Sequence, residues 1–181
     1  MNESKPLKRL VAVLKSPMLQ MNLLAALTGT CAAILTWVFI SMSNGIQGIF
    51  YGDSFIQNSL VGSEDEWKII FIPALGGLVA GLIIEYWSKD AKGAGVPLVM
   101  EAVTFKQARL SAKKAIAKCF AAATCIGTGM SLGRVGPMVV ISSTVGSEIG
   151  QRTGKNVDET RTLVGCGAAS AITAAFNAPL G

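Results

Sequence analysis

Histidine is absent from this 181-residue chain, and its four cysteines, Cys31, Cys119, Cys125 and Cys166, form no C-x-x-C pair. Neither a zinc site nor a disulfide framework is expected; thiols in apolar stretches read as small buried hydrophobes. Charge is scarce too: 15% of residues are charged against 51% hydrophobic, with a mean hydropathy of +0.50. Soluble domains carry more charge, so membrane integration is the first inference. A cleavable signal peptide is set aside, because the first apolar run, about Met18 to Ser41, exceeds a signal core and lacks a small-residue cleavage site. Nucleotide loops fail as well. Leu98 stands where a dinucleotide fingerprint after Gly93-Ala94-Gly95 needs its third glycine, and Ile149 and Asn156 spoil a phosphate loop around Gly154-Lys155. No nucleophile–base or metal constellation appears, and an enzyme reading is dropped.

What charge there is alternates along the chain. Lys5, Lys8, Arg9 and Lys15 precede the first apolar run, and Asp53, Glu64, Asp65 and Glu66 occupy the next polar segment. After the second apolar run come Lys89, Lys92, Lys106, Arg109, Lys113, Lys114 and Lys118. That alternation follows the positive-inside rule and predicts a cytoplasmic N-terminus. The net charge of +5 therefore points to a lipid membrane as the partner. A nucleic-acid face would gather base-reading and stacking residues beside the cations, and none are seen.

The hydropathy predicts a first span over about 18–41, then a polar loop containing Gly45 and Gly48, then a second span over about 69–86. A turn at Gly93-Ala94-Gly95-Val96-Pro97 feeds a short helix at Leu98–Val103. A helix over about 115–132 follows. A second turn, Gly133-Arg134-Val135-Gly136-Pro137, opens another helix reaching about Gly150. A loop over 151–160, turning at Gly154, precedes a last helix over about 161–175.

The two glycine–proline turns are the informative motifs. Either one alone reads as a plain helix break, since glycine and proline are common in membrane helices. Two such turns, each opening a helix inside the bilayer, point instead to a transporter site. Unpaired N–H groups and the positive dipole end at such helix starts attract anions without a full charge. Arg134 reads as a side chain reaching towards water, and Glu85, Glu101 and Glu148 read as interfacial or helix-end acids rather than as a proton relay.

With Gly93 to Pro97, Gly133 to Pro137 and the run from Gly165-Cys166-Gly167-Ala168-Ala169 to Ala174-Ala175-Phe176-Asn177-Ala178-Pro179-Leu180 in this order, the chain resembles the N-terminal part of a CLC chloride channel or chloride/proton antiporter. Its segments match that family's GSGIP motif, its GREGP or GKEGP motif, and its run ending AAFNAPLAG. The resemblance implies an all-α, polytopic membrane protein of inverted-repeat fold with interrupted half-helices. It also implies a homodimer with one anion pathway per subunit, chloride as the transported ligand and no other cofactor. Residues 1–17 would be a cytoplasmic N-terminal segment, and 18–181 the first, incomplete part of the transmembrane domain. Carried over, Gly93, Ala94, Gly95, Val96 and Pro97 border the central anion site. Gly133, Arg134, Val135, Gly136 and Pro137 form the outer gate.

The departures decide the functional expectation. Ala94 replaces the serine whose hydroxyl donates to the central anion, and Val135 replaces the gating glutamate. The second repeat and the acidic proton residue would lie past Gly181. Since exchange needs a titratable group that alternates between proton and anion, Val135 predicts passive anion conduction. The rivals are a coupled antiporter and a non-transporting membrane scaffold.

Overall fold

The computed structural model describes residues 17–51, 66–87 and 95–178. Among the described residues it is all-helical, with α1 Pro17–Tyr51, α2 Glu66–Trp87, α3 Gly95–Phe105, α4 Ala112–Gly127, α5 Val135–Arg152 and α6 Val157–Phe176. α1 and α2 are long and apolar enough to cross a membrane. The 35 residues of α1 extend roughly 50 Å at ~1.5 Å per residue, beyond the ~30 Å hydrocarbon core. The expected loop at Gly45 and Gly48 is corrected: both glycines lie inside α1. Packing carries the helix through them. Ile46 sits so close to Gly127 that a Cβ there would come within 2.6 Å of it. The Tyr51 hydroxyl donates to the Thr128 carbonyl at 2.9 Å, tying the last turn of α1 to the end of α4.

α2 runs antiparallel to α4. Gly76 gives way to the Thr128 side chain at one end, and Trp87 stacks on Phe120 at the other, with centroids 6.0 Å apart. Small residues permit this approach of two backbones. The expected extension of α4 to Leu132 is also corrected. The helix stops at Gly127 because Gly129 adopts φ +90°, and the Tyr51 hydroxyl occupies the space a side chain there would need.

α5 and α6 form a tight antiparallel hairpin. Gly154 turns the chain with φ +64°, and the Glu159 carboxylate accepts the Asn156 N–H at 3.1 Å. That cap starts α6 at Val157, earlier than the polar composition suggested. A Cβ at Gly146 would collide with the Leu163 backbone, and one at Gly167 with the Ser142 carbonyl. α1 lies across this hairpin through the Thr36–Ser142 hydroxyl pair (3.3 Å) and the Ser170 hydroxyl on the Gly29 carbonyl (2.8 Å). Phe39, Met138, Leu163 and Val164 are fully buried. The apolar flank of α2, with Leu75, Leu78, Val79 and Leu82, stays exposed, as a lipid-facing surface does.

Candidate anion site at two helix starts

Both glycine–proline turns lead directly into helices, and proline takes the same place in each. Pro97 is the third residue of α3 and Pro137 the third of α5. Within a first turn the missing N–H costs nothing, because those groups have no intrahelical partner. Proline thus fixes φ while leaving the N–H groups of Gly95, Val96, Val135 and Gly136 ahead of it.

The fold brings these starts together. A Cβ on Gly95 would lie 2.7 Å from the Cα, C and O atoms of Gly136, so the two backbones touch with nothing between them. The demand is one-sided, because a Cβ on Gly136 would meet only the Gly95 Cα, at an ordinary 3.7 Å. Gly133 has open space around it and no unusual φ. The left-handed residue between α4 and α5 is Gly129, four positions before this turn, which no adjacent proline marks in the sequence.

From that contact α3 and α5 run side by side in the same direction. Beyond the far end of α3, Gln107 (φ +51°) and Ala108 (φ +58°) turn the chain through left-handed backbone. The Ala108 N–H bonds the Ala102 carbonyl at 2.9 Å. Ser147 of α5 holds this turn: its hydroxyl donates to the Ala108 carbonyl at 2.6 Å and accepts the Leu110 N–H at 3.0 Å. Gln151 Nε2 donates to the same hydroxyl at 2.9 Å, and Arg161 Nε caps the Val103 carbonyl at 3.0 Å. No sequence motif marks Ser147, since two of its three partners are backbone groups 37 and 39 positions away. α3 has 11 residues, roughly 16 Å at ~1.5 Å per residue, which is about half a bilayer core.

The electrostatics are those of two positive dipole ends side by side. Neither first turn carries an acidic side chain, so no carboxylate in them competes for an anion. Val135 is half-buried and packs against the apolar core, while Gly133 and Arg134 are exposed. Gly95, Val96 and Pro97 stand at the start of α3. Gly93 and Ala94 lie outside the described residues, as do Pro179, Leu180 and Gly181. The acids sit elsewhere: Glu101 is exposed and paired with Lys106 at 2.9 Å, and Glu148 pairs with Arg152 at 3.3 Å near the end of α5.

Comparison with known proteins follows the same lines. The family model described as voltage gated chloride channel matches residues 76–181, which include both turns. The putative chloride channel protein ClcB-like of Ralstonia nicotianae is 31% identical over 161 residues, covering 87% of this chain and 38% of the relative. The voltage-gated ClC-type chloride channel ClcB of Yersinia pestis is 29% identical, covering 90% and 40%. The H(+)/Cl(-) exchange transporter ClcA of Klebsiella pneumoniae strain 342 is 30% identical, covering 96% and 36%. This chain thus spans about two fifths of the length of the relatives it matches. With the family model covering more than half of its residues, the chain belongs to the voltage-gated chloride channel family of integral membrane proteins.

Proposed function

We propose that this chain forms the first part of an anion pathway through a membrane, in a protein that conducts chloride or a similar monovalent anion passively, without obligatory proton movement. One observation carries the reading. The starts of α3 and α5 meet at Gly95 and Gly136 with no acidic side chain in either first turn, and Val135 stands where a gating carboxylate would. Paired N–H groups and dipole ends attract an anion weakly enough to let it leave. Valine neither titrates nor competes with it. Gly93 to Pro97 border the central position in this proposal, and Gly133 to Pro137 the outer one. The working protein is a homodimer with its N-terminus in the cytoplasm, the orientation the positive-inside pattern favours.

Coupled exchange is the second reading, favoured by the similarity to a relative named as an exchange transporter; it needs a titratable group other than Val135. The first test is chloride efflux from liposomes holding the intact protein. Efflux should appear when a potassium ionophore relieves the voltage, and Gly95→Ala should slow it at least tenfold, while Gly165→Ala, which has nothing within 4 Å of the added methyl group, should leave it unchanged. No efflux from a folded intact protein would favour the scaffold reading instead.

A further inference from the structure

α3 supplies one of the two paired helix starts, yet it is short and packs chiefly against one neighbour, α5. Their contact at Gly95 and Gly136 is backbone against backbone, which limits how near the starts come but fixes no direction. The buried side chains of α3 are Val99 and Ala102, and neither carries a polar group. Apolar packing is non-directional, so directional bonds are what pin the register of this helix.

Those bonds lie at its far end. The last turn of a helix leaves its carbonyls without an intrahelical partner. The Ala102 carbonyl accepts the Lys106 and Ala108 N–H groups at 3.1 and 2.9 Å, closing the helix within its own chain. The Val103 carbonyl instead accepts Arg161 Nε, from α6, at 3.0 Å. Arg161 Nη1 also donates to Asp158 at 3.0 Å, which aims the guanidinium. The donor is charged and the acceptor sits at the negative end of the helix dipole, and both strengthen the bond over a neutral one. α6 is itself locked to α5 where Gly146 and Gly167 let the two backbones meet. Ser147 of α5 holds the chain beyond α3, at Ala108 and Leu110; Arg161 adds a tie to the helix itself.

From this arrangement we infer that Arg161 is a positioning residue for the anion site. Val103 lies eight residues along α3 from Gly95, about 12 Å at ~1.5 Å per residue. At that distance Arg161 touches no anion at the paired starts. It acts through the helix as a stiff rod, setting where the N–H groups of Gly95 and Val96 stand against those of α5. The inference rests on the reading of the two starts as an anion pathway.

Chloride efflux from liposomes holding the intact protein, recorded over a range of chloride concentrations, separates half-saturation from maximal rate. Arg161→Met keeps an unbranched stem and loses the donor and the charge. It should raise the half-saturating concentration at least about fivefold, since misplacement of a remote support is felt at the bound group. Arg161→Lys retains a cation that can donate to Val103, and should fall between the parent and the methionine variant. Hydrogen exchange in detergent adds a readout that does not depend on flux. In Arg161→Met, amide exchange should quicken over residues 95–105 and stay at parent rates in α5 and α6. A parent-like half-saturating concentration in Arg161→Met, or exchange that quickens equally across all three helices, would overturn the positioning role and leave the anion pathway standing. A parent without saturable chloride flux would sink the pathway reading first, and this inference with it.

Discussion

Val135 and Gly95 do different work at the same meeting point. Gly95 is held to glycine by contact, since any side chain there meets the Gly136 backbone at 2.7 Å. Overpacking of this kind costs about 1–3 kcal/mol. Gly95→Ala should therefore lower the melting temperature as well as slow flux, whereas Gly165→Ala, with open space around it, should change neither. Val135 governs chemistry rather than packing. Val135→Glu places a carboxyl beside two helix starts, where its charged form competes with the transported anion. Because only the charged form of the introduced carboxyl competes with the anion, flux in the variant should fall as pH rises through that group's titration. The parent should show no such step. An unchanged pH response, measured as efflux between mildly acidic and neutral pH, would remove Val135 from the pathway. At this scale the sequence was informative where glycine and proline coincide, as at Gly95-Val96-Pro97. It was silent where backbone strain falls on ordinary residues: nothing in Gln107-Ala108 announces left-handed φ, which is held by Ser147 from another helix.

Among the elements, the α5–α6 hairpin and the α3–α5 pair keep the site in place. Gly146→Ala would push a methyl group into the Leu163 backbone, while Gly165→Ala meets nothing within 4 Å. Thermal unfolding in detergent should show the first destabilised by roughly 1–3 kcal/mol and the second unaffected. Ser147→Ala strands the Leu110 N–H and loosens the turn that ends α3, at a cost of about 1–3 kcal/mol. Its melting temperature should fall even though the residue is remote from the helix starts. Helix identity was legible from hydropathy, and helix length was less so. α1 outran its apolar stretch because Ile46 and Tyr51 find partners on α4. α4 fell short of its own because Gly129 turns beneath Tyr51. Both boundaries are set by contacts between segments more than seventy positions apart, which no local pattern encodes.

Across the whole molecule, two helix starts meet side by side at Gly95 and Gly136, while the aliphatic side of α2 remains exposed. That division is what a membrane protein needs around an aqueous or ion-filled centre: irregular backbone inside, continuous helix outside. The membrane class and the paired turns could be read from composition and motif. That the turns would touch, and with which glycine, required the fold. The account's central claim concerns coupling, and a single measurement reaches it most directly. The intact protein is placed in liposomes with an imposed chloride gradient, and proton and chloride movement are recorded together. Chloride should run down its gradient with no proton transport against the proton gradient. Sustained uphill proton movement driven by chloride would contradict the account and assign the protein to coupled exchange.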